Sequence, residues 1–157
     1  MSSLKTVLSY IGNVTVKKLI DNDEKNDIIQ QMQNLWDAKK QKEFPGPQPI
    51  SIERRHFTDL VAKEYYTSIK TDGERFSACI MTYKNKHISF LLDRKLDIYL
   101  FRSQCAKSAY NGTIVDCEII DNCIELFDCI IWGGNVIKNS TFSERIKACS
   151  TVASFVK

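Results

Sequence analysis

Long apolar runs, paired-cysteine spacings and histidine clusters are all missing from this 157-residue chain. No stretch approaches the roughly twenty apolar residues that a membrane-crossing helix needs. The opening Met1-Ser2-Ser3-Leu4-Lys5 has neither the basic segment nor the apolar core of a secretory signal. An intracellular setting is therefore expected, and the sequons at Asn13, Asn111 and Asn139 carry no weight. Six cysteines are present, at 79, 105, 117, 123, 129 and 149, but no pair is spaced CxxC. A zinc site is disfavoured, and mostly buried, reduced thiols are expected. The two histidines, His56 and His87, are isolated, so no Ser-His-Asp or Cys-His set can be assembled from them. No GxGxxG follows a strand and no GK[ST] follows Gly133-Gly134, which removes the dinucleotide and P-loop fingerprints. The net charge of +3 permits a phosphate-bearing partner without arguing for one. The run Lys39-Lys40-Gln41-Lys42 reads as a solvated helix end rather than a nucleic-acid arm.

The length suits one domain with a real core, and 43% hydrophobic with 26% charged residues is a globular composition. Residues 1–22 alternate weakly and fit a short strand or a helix. Asp23 to Lys40 reads as a helix with Ile28, Ile29, Met32, Leu35 and Trp36 on one face. Phe44-Pro45-Gly46-Pro47-Gln48-Pro49 breaks that pattern and is extended. A short helix over Arg54–Lys63 is expected to turn Phe57, Leu60 and Val61 inward. From Tyr65 the character is β, with strands near 65–70, 75–83, 87–93, 96–101, 113–120 and 123–131. Lys84-Asn85-Lys86 and Gly133-Gly134-Asn135 are turn signals. A closing helix from about Thr141 carries Phe142, Ile146, Cys149, Val152, Ala153 and Val156 on one face. The fold class is α+β, a mostly antiparallel sheet flanked by helices. Residues 1–44 are expected as a helical lead-in and 45–157 as the β-rich core.

The most informative stretch is Lys70-Thr71-Asp72-Gly73-Glu74-Arg75. A lysine follows a strand-like run and precedes a tight acidic-glycine turn and an arginine. Such an arrangement can present an amine to a nucleotide phosphate, with glycine allowing close backbone approach. The same Asp-Gly is equally a hairpin signal between two strands. Further segments follow in order: Asp93-Arg94 after Phe90-Leu91-Leu92, then Asp116-Cys117-Glu118 within 112–119, then Glu125-Leu126-Phe127-Asp128, then Phe142-Ser143-Glu144-Arg145. Strand alternation puts Asp116 and Glu118 on one face.

This ordered set, with its proline-rich lead-in, resembles the first half of the mRNA capping guanylyltransferases, within the covalent nucleotidyltransferases that include ATP-dependent DNA and RNA ligases. "FPGPQPISIERRHF" and "FLLDRKLDIYLF" resemble segments of the compact enzymes of large DNA viruses. The resemblance spans about residues 25–150. It implies a ligase-like nucleotidyltransferase domain, with Lys70 as the nucleophile that attacks the α-phosphorus of GTP. Arg75 and Arg94 become ribose or phosphate contacts and the cations that lower the lysine's pKa. Asp72 and Gly73 shape the turn, and Glu118 meets the ribose or metal region, with Asp116 a second candidate metal ligand. Phe127 stacks on the purine; its plain alternative is core. For Arg145 the alternative is a helix-start residue. Magnesium or manganese is the implied cofactor, and GTP and a 5′-diphosphate RNA end are the implied partners, with no membrane involved.

Two departures bear on that expectation. Cys117 stands where the family usually has glycine, and its side chain either crowds the nucleotide or points into the core. The family also continues with an acidic-glycine strand, a lysine-rich strand and an OB-fold lid, none of which follows Arg145. The resemblance thus implies that a C-terminal portion or a second chain completes the pocket. Two alternatives stay open: a nucleotide-binding or interaction module without turnover, and half of an ATP-dependent polynucleotide ligase.

Overall fold

A computed structural model describes residues 4–36, 38, 43–121 and 123–153. Eight strands form one antiparallel sheet: β1 (Thr6–Ile11), β2 (Val14–Leu19), β3 (Glu74–Tyr83), β4 (Lys86–Leu92), β5 (Ile98–Phe101), β6 (Thr113–Ile120), β7 (Cys123–Trp132) and β8 (Asn135–Val136). Their spatial order is β1-β2-β5-β4-β3-β6-β7-β8. Among the described residues three α-helices accompany them: α1 (Asn22–Trp36), α2 (Phe57–Ala62) and α3 (Phe142–Ala153).

Turn chemistry fixes the hairpins. Between β3 and β4, Lys84 and Asn85 both take positive φ (46° and 60°), the two-residue turn whose twist matches the flanking strands. Gly133 and Gly134 do the same between β7 and β8. α1 and α3 begin on side-chain caps. Asp21 Oδ1 accepts the N–H groups of Asp23 and Glu24 at 3.1 Å each, which holds the Asp21 carboxyl below its ordinary value, with the Glu24 N–H the largest cause. At α3, Thr141 and Glu144 form a reciprocal capping box: the Thr141 N–H donates to Glu144 Oε2 at 2.9 Å and the Glu144 N–H to Thr141 Oγ1 at 3.4 Å.

The sheet buries both faces. On one, α1 lays Ile28, Met32 and Trp36 over Cys79, Met81, Phe90 and Ile114. On the other, α3 packs Cys149 and Val152 against Ile80, Val115 and Cys129. Next to that lies a third cluster of Ile11, Val16, Phe76, Ala78, Leu91, Cys117 and Ile119. Lys18 of β2 and Lys25 of α1 both reach Asp97, at 2.7 and 2.6 Å, and so tie the N-terminal elements to the β4–β5 connection. All six cysteines are free, four of them buried, with Cys105 half-buried and Cys123 exposed. Burial pushes the Cys129 and Cys149 thiols up to about 12, so both stay protonated at neutral pH.

Several expectations change. The lead-in is not helical throughout: β1 and β2 form a hairpin that joins the main sheet through β5. The strand expected at 65–70 does not form. That run is coil, and among the described residues no backbone–backbone hydrogen bond involves residues 64–72. β-Prone residues without a neighbouring strand have nothing to pair with. The helix near Arg54–Lys63 is a 3₁₀ turn (Arg54–His56) followed by the six-residue α2, which buries none of its residues; Phe57 and Val61 are 57% and 88% exposed. α1 closes at Trp36, and the lysine-rich end expected for it lies outside the described residues, as does Val156. Ala153 of α3 is exposed.

Candidate active site around Lys70

Alternation along β3 divides its side chains between the two faces. Arg75 and Ser77 share a face with Cys79 and Met81, the side that α1 covers. The register pairs Arg75 with Glu118 and Ser77 with Asp116, so both acids stand on this face, just beyond the reach of α1. Cys117, paired with Phe76, is fully buried on the opposite face, where its Sγ lies 3.4 Å from the Phe76 carbonyl. Its side chain points into the core and does not crowd the acids.

Arg75 donates to both carboxylate oxygens of Asp116, from Nε at 2.9 Å and from Nη2. Asp116 is wholly buried and the Arg75 side chain is 13% exposed. Burial pushes the Asp116 carboxyl up against the pull of Arg75, while Asp116 keeps Arg75 protonated. The proline-rich lead-in closes over this pair. Arg75 Nη2 donates to the Pro47 carbonyl at 2.8 Å, and Ser77 Oγ to the Pro45 carbonyl at 3.4 Å. Gly46 takes a φ of +100°, and a Cβ there would meet Asp116 Oδ2 at 2.8 Å. The rings of Phe44 and Phe127 flank the guanidinium, their centroids 5.6 and 5.9 Å from Cζ.

Phe127 owes its position to a bulge. The β6–β7 register passes from Asp116↔Asp128 to Cys117↔Leu126, which leaves Phe127 unopposed. Such an extra residue re-aims its side chain, and Phe127 is 38% exposed, with its ring beside Arg75. An aromatic face open to solvent next to a cation suits a stacked base.

Lys70 stands on the exposed loop before β3 and donates to the Thr71 carbonyl at 3.3 Å. Glu118 anchors that loop: its Oε1 accepts the Gly73 N–H at 3.0 Å and its Oε2 the Thr71 hydroxyl. Gly73 is needed for close approach rather than for a hairpin turn. A Cβ there would fall 2.4 Å from the Ile119 carbonyl and 2.8 Å from Glu118 Cγ. Arg94 is exposed on the turn after β4. Since Ser77 pairs with Leu92, that turn leaves the sheet at the Arg75 end of β3. Arg145 is committed elsewhere, donating from Nε to Asp128 Oδ1 at 2.7 Å and from Nη1 to the Ser140 carbonyl at 2.7 Å. Its observed contacts are those of a helix-start residue.

The structure thus ties the Lys70 loop to Glu118 through Thr71 and Gly73, sets Arg75 beside Glu118 in the sheet with Asp116 and Phe127 around it, and keeps Arg145 in a structural pair. Sequence reasoning gave no individual role to Phe44, Gly46, Pro47 or Thr71. The signal for the first three was the glycine set between prolines in a segment forced to be extended. Asp116 is wholly buried and holds Arg75 with both oxygens, whereas Glu118, with one hydrogen bond on each oxygen, is only half-buried. No group of three or more potential metal ligands occurs among the described residues. The histidines are structural: His87 stacks on Tyr110 at 4.0 Å, and His56 Nδ1 accepts the Glu53 N–H at 2.9 Å. A cleft of about 570 Å³ lined by His87, Ser89, Arg102 and Tyr110 contains none of the Lys70 site residues.

The family model for the mRNA capping enzyme catalytic domain matches residues 11–154. The chain belongs to the mRNA capping enzyme family. Similar proteins include the mRNA-capping enzyme subunit alpha of Kluyveromyces lactis, 30% identical over 77% of this chain and 32% of that protein. The subunit alpha of Candida glabrata is 27% identical over 71% of this chain and 30% of the relative. That of Schizosaccharomyces pombe is 25% identical over 66% and 31%. The chain therefore spans about a third of the length of the curated relatives it matches. These three are fungal, and they lend no support to the viral setting suggested by the motifs. Among the described residues, no helix is long and apolar enough to cross a membrane.

Proposed function

We propose that this chain carries the nucleophile and nucleoside pocket of a GTP:RNA guanylyltransferase that caps mRNA inside the cell. The neutral amine of Lys70 attacks the α-phosphorus of GTP. An N–P bond forms, the α–β P–O bond breaks and pyrophosphate leaves. A terminal oxygen of a 5′-diphosphate RNA then attacks the same phosphorus. The N–P bond breaks, the amine is regenerated and the GpppN cap is released. The observation that carries this reading is the family match over residues 11–154 together with Lys70 standing exposed on a loop anchored at Glu118.

Phe127 stacks on the guanine, and Arg94 meets phosphate or ribose oxygens. Arg75 braces the pocket: its charge is balanced by Asp116, and it orders Phe44, Pro47 and Phe127 around itself. A divalent ion, magnesium or manganese, would neutralise charge developing on the phosphates, with Glu118 the residue placed to help hold it. The remaining phosphate ligands and a closing lid are supplied by further polypeptide, from the same protein or a second chain.

A second reading, a nucleotide-binding module without turnover, is favoured by one observation: three of the five N–H donors of Arg75 are already spent on Asp116 and the Pro47 carbonyl. Incubation with α-labelled GTP and magnesium, followed by a denaturing gel, separates the two. Label held by the wild type with GTP but not ATP, and lost in Lys70→Ala, is the expected result. A folded chain that binds GTP without retaining label, alone and with the completing polypeptide supplied, would establish the module instead, and label from ATP alone would point to a ligase half.

A further inference from the structure

Glu118 is the carboxylate that the family resemblance directs toward the ribose or metal, yet here both of its oxygens hold the nucleophile loop. Oε1 takes the Gly73 N–H at 3.0 Å and Oε2 takes the Thr71 hydroxyl. Little else secures this loop. Residues 64–72 make no backbone–backbone hydrogen bond among the described residues, and Ile69 is 90% exposed. Tyr66 is attached at the far end, its hydroxyl 2.8 Å from Ser143 Oγ and its ring 5.0 Å from that of Phe142. Between Tyr66 and Gly73, the Thr71 hydroxyl is, among the described residues, the side-chain anchor that joins the loop to the sheet. It adjoins Lys70, whose own Nζ reaches back to the Thr71 carbonyl.

We propose that Thr71 is a positioning residue for the covalent step, acting through Glu118 to hold the Lys70 backbone at a fixed height above β6. The inference rests on the reading of Lys70 as nucleophile. The physical demand is direct, because a nucleophile displaced by about 1 Å loses on the order of 100-fold in rate. A hydroxyl donating to a carboxylate is a strong tether, since hydrogen bonds to charged groups outweigh neutral ones. Glu118 reaches the loop at two points two residues apart, so Thr71 and Gly73 together fix the direction of the backbone as well as its height. Close packing of Gly73 against the Ile119 carbonyl leaves the loop little other freedom once Thr71 is held. Each carboxylate oxygen also keeps a free lone pair, so the same group can meet a ribose hydroxyl without releasing the loop.

The test compares Thr71→Val and Thr71→Ser with wild type in single-turnover formation of the lysine–GMP adduct, alongside the exchange rate of the Gly73 amide without nucleotide. Thr71→Val is expected to slow adduct formation by about tenfold, the scale of one hydrogen bond to a charged group. Its apparent GTP affinity should stay within about twofold of wild type, because the residue acts on the nucleophile and not the nucleotide. The Gly73 amide should exchange several-fold faster, and Thr71→Ser should restore both readings. Thr71→Ala, free of a β-branched side chain in the loop, replaces Thr71→Val if that variant unfolds. An unchanged adduct rate, or a loss that serine does not rescue, overturns the proposal. If the wild type forms no adduct, the reading of Lys70 fails and the positioning role with it, and the Gly73 amide then decides the tether alone: unchanged exchange overturns the hold of Glu118 on Thr71 and faster exchange sustains that hold without a catalytic role.

Discussion

Arg75 and Asp116 form a two-pronged ion pair in which the carboxylate is wholly buried and the guanidinium nearly so. Around it sit the Pro47 carbonyl, the backbone of Gly46 and the rings of Phe44 and Phe127. The pair links the proline-rich lead-in to the sheet and sets the floor of the candidate pocket.

Removing one partner of a buried pair leaves the other charge uncompensated. Asp116→Ala is expected to destabilise the chain by about 3 kcal/mol, measured by urea unfolding. Asp116→Asn keeps one acceptor and should cost less. Equal stability of Asp116→Ala and wild type would remove the pair from the account.

Gly46→Ala should be as disruptive as a core truncation although no side chain is lost. The backbone has a φ of +100° and the added methyl meets Asp116 Oδ2 at 2.8 Å. A cost of about 2 kcal/mol or more follows from the strained φ and the displaced carboxylate together. Gly46→Ala with an unchanged unfolding midpoint would show that the lead-in does not seat on the ion pair.

Phe127 separates function from stability. With 38% of the residue exposed, Phe127→Ala should lower the thermal midpoint little. If the ring stacks on the base, GTP affinity should fall about 10- to 100-fold, since one base–aromatic stack is worth about 1–3 kcal/mol. Phe127→Tyr should bind like wild type. Nucleotide titration by calorimetry or fluorescence reads this, and unaltered affinity in Phe127→Ala would return the residue to ordinary packing.

The pH dependence of stability should carry the mark of Asp97. Partial burial pushes its carboxyl up, but hydrogen bonds and charges from Lys18 and Lys25 bring it below the ordinary value. A depressed carboxylate contributes stability above its unfolded pKa of about 4 that is lost as pH falls through the folded value. Thermal midpoints should therefore fall as the pH drops below about 4 more steeply in wild type than in Asp97→Asn. Parallel profiles would mean that the two lysines are not engaged in solution.

Much of the fold was legible because hairpin signals and alternation agree along β3 to β7: the expected strand 75–83 became Glu74–Tyr83, and 113–120 became Thr113–Ile120. The β1–β2 hairpin was obscured by weak alternation, as Val7, Leu8 and Tyr10 are all exposed on an edge strand. Its two-residue Gly12-Asn13 turn was the available signal. Residues 65–70 have the composition of a strand but no neighbour to pair with, which composition cannot reveal. At the site, the ordered motifs led to Lys70, Arg75, Glu118 and Phe127. What they could not show was which groups are already spent on each other. Asp116 on Arg75, Arg145 on Asp128 and Thr71 on Glu118 are pairings across 17 to 47 residues of sequence, set by strand register and by a bulge.

The central claim is that Lys70 bonds to GMP. Intact-mass spectrometry of the chain after incubation with GTP and magnesium, followed by fragmentation of the modified peptide, tests it most directly. The account predicts a mass increase of one GMP moiety, located on Lys70, reversed by added pyrophosphate and absent from Lys70→Ala. An unmodified mass in folded, GTP-bound protein with the completing polypeptide supplied, or an adduct on any other residue, would contradict it.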